Sequence, residues 1–215
     1  MERIICLVLG YIFGMFQTAY FYGRLKGIDI RQHGSGNSGT TNTLRTLGKK
    51  AGLVVLAGDV LKCMLVVFLC DLIFGQGNPE MRYLYKVYAG LGAVAGHNFP
   101  FYLHFKGGKG IAATGGLILS FHPWFILVGF ILFFGNFFIT HYVSLGSLIL
   151  CTGFFVQMLI MGQGGFFGEM TSAHLYEMYA VTLLLTIMAF IKHRENIVRL
   201  IKGEERKTYL RGREG

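Results

Sequence analysis

The 215-residue chain is 53% hydrophobic and 15% aromatic, only 14% of its residues are charged, and its formal net charge is +9. Soluble proteins carry about 25% charged residues, so this composition excludes an ordinary soluble domain and indicates one all-α polytopic membrane domain over residues 1–215. The basic residues gather at the ends of apolar segments and not among the aromatic residues, so no nucleic-acid partner is expected.

Seven apolar segments are predicted as transmembrane helices. They cover residues 4–23, 51–74, 83–103, a short stretch after residue 110, a fifth segment from about Trp124, 143–162 and 173–191. The first is long enough to span a bilayer and longer than the core of a signal peptide. The fourth is short for a span, and a re-entrant fourth segment is the alternative, which would leave five spans.

The placement of Lys and Arg predicts the orientation. Six lie in residues 24–50, two in the turn FKGGKG and eight in the C-terminal tail, whereas the other side holds Arg3, Arg82 and Lys86. Cytoplasmic loops carry an excess of Lys and Arg. We therefore expect the N-terminus outside and the C-terminus in the cytoplasm. Three polar stretches between or after the apolar segments, here called polar islands, are then expected on the cytoplasmic side.

The first polar island, GSGNSGTTNTLR at residues 34–45, has the composition of a backbone cradle for phosphate. Glycines let successive N–H groups point inward, and a helix that starts just afterwards adds the positive end of its dipole. The alternative is a flexible turn. The dinucleotide fingerprint GxGxxG lacks its βαβ unit here, and Thr40 stands where a Walker P-loop requires lysine. We expect bound phosphate, with Asn42 or a neighbouring threonine capping the helix and Arg45 facing the glycines.

The second island is FKGGKG at residues 105–110, another glycine turn that opens a helix. Lysine is a compact charge that suits a phosphate on a flexible substrate, although lysines also decorate turns at a membrane edge. Lys109, flanked by glycines, is expected to bind phosphate. Lys106 is expected to lie at the interface.

The third island, KHRENI at residues 192–197, ends the seventh segment. His193 and Asn196 are three residues apart and so share a helix face. An interfacial histidine is the alternative for His193, and Arg194 is expected to anchor the helix at the headgroups.

Polar side chains within or beside the apolar segments form a further group. Asp59 and Lys62 are expected to neutralise each other and to brace the site, because an isolated charge inside a membrane is costly. His97 either braces the second island or contacts the substrate. Ser144 and Ser147 either cap a helix or contact the substrate.

The motifs of metal-dependent and covalent catalysis do not occur. The sequence has no nucleophile elbow GxSxG, no HxxxxD dyad, no HExxH and no zinc-like spacing of its four cysteines. We therefore expect neither a metal nor a cofactor.

Taken together, GSGNSGTTN, GHNFPFYLHFKGGKG and KHRENI, with DVLK at 59–62 and YVSLGS at 142–147, resemble the bacterial acyl-phosphate-dependent glycerol-3-phosphate acyltransferase (PlsY) family. The resemblance covers nearly the whole chain in order. It implies an enzyme of the bacterial plasma (inner) membrane that moves a fatty acyl group from acyl phosphate to the sn-1 hydroxyl of glycerol 3-phosphate. The products would be lysophosphatidate and inorganic phosphate, at the first step of phospholipid synthesis.

The resemblance also implies roles for individual residues. The catalytic set would be Ser35, Arg45, Lys109, His193 and Asn196, with Asn37 and Asn42 as further contacts. The acyl phosphate would lie against Ser147 or Ser144 and against the N–H groups of the loop glycines, which are Gly34, Gly36, Gly39, Gly107, Gly108 and Gly110. A substrate phosphate is the implied base, with His193 as the alternative. The expected partners are glycerol 3-phosphate, fatty acyl phosphate and membrane lipid, and we expect a monomer.

An organophosphate transporter is the rival function. Transporters place their site near the middle of the bilayer, often between repeated halves. Here the polar islands lie at one membrane border and no halves repeat, so the enzyme is favoured.

Overall fold

The computed structural model describes residues 1–168 and 170–209, and every regular element in them is helical. The α-helices are α1 (Glu2–Gly14), α2 (Thr18–Leu25), α3 (Thr40–Leu47), α4 (Lys49–Cys70), α5 (Arg82–Asn98), α6 (Ile111–Leu119), α7 (Pro123–Thr140), α8 (Val143–Gln163), α9 (Ser172–Lys192) and α10 (Arg194–Ile201). Arg211 and Arg213, which contribute to the predicted positive tail, lie outside the described residues.

In the described part of the chain, five helices are long and apolar enough to cross a membrane. They are Glu2–Leu25, Lys49–Gly75, Pro123–Thr140, Val143–Gln163 and Ser172–Lys192. Of the other two predicted spans, α5 has 17 residues and α6 has nine. A span of the roughly 30 Å hydrocarbon core needs about 20 residues, so the count of seven and the orientation of the termini stay predictions.

Small residues bring α1 and α5 into backbone contact. A Cβ atom added at Gly10 of α1 would lie 2.2 Å from the carbonyl oxygen of Ala89, and one added at Gly92 of α5 would lie 2.1 Å from that of Leu7. Helices in lipid associate through such close approaches, because apolar side chains gain little by leaving the lipid. The contact fixes α5 inside the bundle, where α4, α6 and α9 also pack against it.

Two predicted segments are broken where the site forms. The third segment was expected to reach Leu103, but α5 ends at Asn98 because Pro100 disfavours helical backbone in the residue before it. The first segment is interrupted between α1 and α2, at residues 15–17. These breaks turn backbone carbonyls and polar side chains toward the end of the bundle that carries the three islands.

Candidate active site

A cavity of about 860 Å³ opens at the end of the bundle where α3 and α6 begin and α9 ends. Its polar part is lined by the loop 34–39, the start of α6 and the start of α10. An apolar branch continues between α7 and α8. Along α7 its lining runs from Phe137 to Ile126, which is about 16 Å at 1.5 Å per residue. The cavity can therefore hold a charged head and an apolar chain at the same time.

Asn42 holds the first glycine loop in shape. Its side chain is 1% exposed, its Oδ1 accepts the N–H of Ser35 at 2.8 Å, and its Nδ2 donates to the carbonyls of Ile30 and His33 at 3.1 and 3.0 Å. The predicted capping role is wrong, because α3 begins after Gly39 with no side-chain cap and Asn42 folds back onto the loop. Asn42 lines the cavity, but its hydrogen bonds position the loop.

Free N–H groups come from the first turn of α3 more than from the loop glycines. The N–H groups of Gly36 and Gly39 donate to carbonyls inside the loop. Those of Thr40 and Thr41 have no partner within the helix, because an α-helix leaves its first donors unpaired. Both residues line the cavity. The predicted phosphate cradle would therefore be formed mainly by a helix N-terminus, which carries a partial positive charge.

Lys109 joins the second island to the third. It precedes Gly110, which caps α6 at a φ of +80°, a left-handed conformation that glycine adopts without a clashing Cβ. The Nζ of Lys109 donates to Oδ1 of Asn196, and Nδ2 of Asn196 donates to Oε1 of Glu205 at 2.7 Å. The two islands, 87 residues apart in sequence, are thus in direct contact.

Glu205 is the acceptor on which several donors converge. Besides Asn196, it accepts from Ser144 at 3.1 Å and from Arg199 at 2.8 Å. Burial alone would raise the pKa of Glu205, but the hydrogen bonds from Asn196, Arg199 and Ser144 outweigh burial and lower it. A carboxylate from the C-terminal tail therefore stays ionised beside the cations of the cavity.

Arg45 also contacts the tail. Its Nη2 donates to Oγ1 of Thr208 at 2.7 Å and to the carbonyl of Arg206 at 3.3 Å, and the N–H of Thr208 donates to the carbonyl of His141 at 2.9 Å. The tail thus returns across the mouth of the cavity to the link between α7 and α8. In the described part of the chain no carboxylate forms a salt bridge with Arg45.

Burial changes the protonation of the two titratable groups at the centre of the polar part. It lowers the pKa of Lys109 to about 8, and the carboxylate of Glu205 limits the fall. Burial, with the nearby charge of Lys109, lowers the pKa of His193 to about 4. At neutral pH the site therefore holds a lysine close to its titration point and an uncharged histidine.

The tautomer of His193 follows from its backbone contact. Its Nδ1 lies 2.8 Å from the carbonyl oxygen of Ala189, and because a carbonyl only accepts, Nδ1 carries the proton. The Nε2 atom therefore has a free lone pair. His193 is buried, lines the cavity, and can accept a hydrogen bond from a substrate hydroxyl.

The two serines of the link into α8 have different partners. Ser147 is 2% exposed and donates to the carbonyl of Val143 at 2.7 Å, so its oxygen is left as an acceptor. Ser144 donates to Glu205. Both line the cavity, and both hydroxyl protons are bonded to acceptors of the protein.

The predicted ion pair inside α4 is confirmed. Lys62 Nζ lies 2.8 Å from Oδ1 of Asp59 and 2.9 Å from Nδ1 of His97. Asp59 and His97 both line the cavity.

The cavity gathers most of the predicted residues. It is lined by Gly34, Ser35, Gly36, Asn37, Gly39, Asn42, Arg45, His97, Lys109, Gly110, Ser144, Ser147, His193 and Asn196. Gly107 and Gly108 do not line it, and their N–H groups already donate to the carbonyls of Asn98 and His97. Their predicted role as phosphate ligands stays a prediction, and in this structure both glycines have their N–H groups paired within the protein. They are small because a Cβ at either position would lie within 2.1 Å of an atom of His97.

The contribution of the C-terminal tail to the cavity was not predicted from the sequence. Glu205, Arg199 and Thr208 line the cavity, although the tail was treated only as a run of positive charge. A pair of glutamates within that basic run, in GEERK, was the available signal. In the described residues, no group of three or more His, Cys, Asp or Glu side chains is arranged to hold a metal ion.

Comparison with known proteins adds three findings. The family model described as glycerol-3-phosphate acyltransferase matches residues 4–203. The glycerol-3-phosphate acyltransferase of Staphylococcus haemolyticus is 37% identical over 210 residues, covering 96% of this chain and 98% of that protein. The Bacillus subtilis enzyme of the same name is 40% identical over 203 residues, covering 94% and 95%.

Solved structures give the same picture. The crystal structure of PlsY (YgiH), an integral membrane glycerol 3-phosphate acyltransferase, in its glycerol 3-phosphate form superposes with a TM-score of 0.82 at 29% identity, covering 97% of this chain and 96% of that one. The lysophosphatidic acid form of PlsY gives a TM-score of 0.80 with the same coverage.

Proposed function

The chain belongs to the glycerol-3-phosphate acyltransferase family, and on that premise we propose that it transfers a fatty acyl group from acyl phosphate to the sn-1 hydroxyl of glycerol 3-phosphate. The family makes it an integral membrane acyltransferase of phospholipid synthesis. The phosphate donor and the acylated position are the proposed part. The resemblance of the three islands to the acyl-phosphate-dependent enzymes supports both.

The cavity is the observation that carries the proposal. A phosphate-bearing head fits its polar part, where the α3 N-terminus, Arg45 and Lys109 supply positive charge. A fatty chain fits the branch along α7, which is lined by Phe130, Phe133 and other apolar side chains. A transporter site would instead be expected near the middle of the bilayer.

The reaction needs no redox or covalent partner. The sn-1 oxygen of glycerol 3-phosphate attacks the acyl carbon, an ester C–O bond forms, and the bond from the acyl carbon to the phosphate oxygen breaks. The hydroxyl proton ends on the departing phosphate. Because phosphate is already a good leaving group, positioning and neutralisation of charge can supply much of the rate.

Lys109 and Arg45 would neutralise the phosphates, while Ser35 and Asn196 would orient them. His193 would hold the attacking hydroxyl through its Nε2 lone pair. A pKa of about 4 makes His193 a weak base, so a substrate phosphate is the better proton acceptor.

Replacing His193 by Asn and following the rate against pH tests this assignment. We expect a modest loss of rate with an unchanged pH profile, because the phosphate takes the proton. Loss of the acidic limb of the profile in His193→Asn would instead make His193 the base.

We place the chain in the bacterial plasma membrane with the cavity facing the cytoplasm. The excess of Lys and Arg at the end of the bundle that bears the cavity supports this orientation. Glycerol 3-phosphate is water-soluble and could enter there.

The donor is tested with the purified wild-type protein in detergent. We expect one lysophosphatidate and one inorganic phosphate per turnover from palmitoyl phosphate and glycerol 3-phosphate, with the chain at sn-1. The variant Lys109→Met is the matched control for contaminating activity. Product from palmitoyl thioesters but not from palmitoyl phosphate would overturn the proposed donor, and uptake of glycerol 3-phosphate into sealed vesicles without product would favour a transporter.

A further inference from the structure

A buried ion pair beneath the two glycine loops reaches the cavity through His97. The Nζ of Lys62 lies 2.8 Å from Oδ1 of Asp59, 2.6 Å from the carbonyl oxygen of Phe16 and 2.9 Å from Nδ1 of His97. Asp59 and Lys62 are 1% and 8% exposed, and His97 is 3% exposed. Thr18 adds a hydrogen bond to Oδ1 of Asp59 at 3.0 Å.

This arrangement fixes the position of the proton on His97. An ammonium group has three donors and no acceptor, and the three contacts of Lys62 use all of its donors. The Nδ1 atom of His97 must therefore accept, which leaves the proton of the neutral ring on Nε2. Asp59 supplies the countercharge beside Nζ of Lys62 at this depth. His193 is the opposite case, with its proton on Nδ1.

The Nε2 atom of His97 lies between the two glycine loops. A Cβ added at Gly108 would be 2.1 Å from Nε2 and 2.7 Å from the carbonyl oxygen of Ser38, so the ring reaches the point where the loops meet. His97 lines the cavity. Within residues 1–168 and 170–209, Nε2 forms no hydrogen bond with another protein group. The missing acceptor points to a ligand.

We propose that Asp59 and Lys62 are positioning residues that hold His97 as the Nε2–H tautomer, and that His97 donates this proton to a phosphate oxygen of the bound substrate. The proposal rests on the proposed function in one respect, that the cavity binds phosphate-bearing substrates. Both acyl phosphate and glycerol 3-phosphate offer the required oxygen. If His97 were only a structural brace, its contact with Lys62 through Nδ1 would matter and the proton on Nε2 would not.

Two substitutions separate these roles. In His97→Gln the side-chain NH₂ replaces Nε2–H, and the acceptor at the Nδ1 position is lost. In His97→Asn the amide oxygen replaces the Nδ1 acceptor, and the distal donor is lost. Their measured KM and kcat values therefore report on the two ring nitrogens separately, and each protein's thermal unfolding midpoint controls for folding.

We expect His97→Asn to raise the KM of one phosphate substrate about tenfold or more, because a hydrogen bond to a charged group is lost. His97→Gln should stay within about threefold of the wild-type KM. The substrate whose KM rises identifies the source of the phosphate oxygen. An active His97→Asn with an impaired His97→Gln, or equal losses in both, would overturn the proposal.

Nitrogen NMR of ¹⁵N-histidine-labelled protein tests the positioning role without catalysis. We expect the wild-type His97 ring to show the neutral Nε2–H tautomer, and its protonated nitrogen to shift when glycerol 3-phosphate or inorganic phosphate is added. The double variant Asp59→Asn/Lys62→Met, which removes both charges, should lose the tautomer preference. An Nδ1–H tautomer in the wild type, or a ring that responds to neither phosphate, would overturn the inference.

The NMR experiment does not depend on the identity of the acyl donor. If the protein makes no lysophosphatidate from acyl phosphate, the proposed function is wrong, but the tautomer and its response to glycerol 3-phosphate are still measured. If the donor is correct and the tautomer is not, only the role of His97 is lost.

Discussion

The two ends of the helical bundle both concentrate charge, but they use it differently. At the end away from the cavity, Arg82 makes two hydrogen bonds to Asp71 at 2.7 and 2.8 Å, and Lys86 lies 3.4 Å from the same carboxylate. Arg3 pairs with Glu177 there. Each of these cations has a carboxylate partner.

At the cavity end, Lys62 and Arg199 also pair with carboxylates, but Arg45 and Lys109 form no salt bridge in the described residues. Arg45 contacts a hydroxyl and a carbonyl, and Lys109 contacts an amide oxygen. Glu205 lines the same cavity, and it bonds Arg199 directly. Positive charge without a paired carboxylate therefore lies beside the cavity, where an anionic substrate can neutralise it.

The difference teaches how to separate structural from functional charge in this protein. A buried cation with its own carboxylate contributes to packing and to the orientation of helices, whereas a buried cation with only neutral partners carries a desolvation cost that a ligand can remove. Substitutions at the two ends of the bundle can test this contrast directly.

The largest expected difference in activity comes from replacing one cation at each end of the bundle by methionine. Lys109→Met should lower kcat/KM for glycerol 3-phosphate about 100- to 1000-fold, as does removal of a donor that stabilises charge in a transition state. The matched variant Arg82→Met should lower the thermal unfolding midpoint while kcat/KM stays within about twofold, because Arg82 is part of an ion pair far from the cavity. Equal loss of activity in both variants would remove the distinction between the two ends.

A smaller effect is expected from the loop clamp. Asn42→Ala removes three hydrogen bonds that shape the first glycine loop and should raise the KM of the phosphate substrates about tenfold. The control is Asn78→Ala, which removes the 3.2 Å hydrogen bond from an asparagine to the carbonyl of Phe74 at the other end. An unchanged KM in Asn42→Ala would show that the loop keeps its shape without the clamp.

The pH dependence sharpens the role of Lys109. Its pKa is lowered to about 8, so its charge is present below that pH and is lost as the pH rises through it. The kcat/KM profile, which reports the free enzyme, should therefore fall above about pH 8. Glu205→Gln should move this fall to lower pH, because the carboxylate raises the pKa of Lys109.

Lys109→Arg provides the check on that profile. Arginine stays charged throughout the accessible range, so the basic limb should disappear even if the rate is lower. A limb that stays near pH 8 in Lys109→Arg would assign it to another group.

The smallest effect is expected for Ser147→Ala. The hydroxyl proton of Ser147 already bonds the carbonyl of Val143, so only an accepting oxygen is lost to the cavity. We expect kcat/KM to change by about threefold or less. A loss comparable to that of Lys109→Met would mean that the hydroxyl turns toward the acyl phosphate during the reaction.

The sequence alone singled out polar side chains that line the cavity, because glycine loops between apolar segments are local signals. It assigned GSGN, FKGGKG and KHRENI to one side of a membrane, and the structure gathers residues of all three around one cavity. It did not predict that Asn42 would fold back onto its loop, because that contact depends on the path of residues 30–35. It also did not predict that Gly107 and Gly108 lie against His97, since this contact arises from the end of α5.

By itself, the sequence determined the membrane class, the family and the identity of the main charged residues, because composition and motif order do not depend on how helices pack. The tertiary structure decided which cations keep a carboxylate partner, where the tail places Glu205, and which nitrogen of His97 and of His193 holds the proton. These features depend on contacts between segments that are distant in the chain. Such contacts form only when small residues, such as Gly10 and Gly92, let the helices approach.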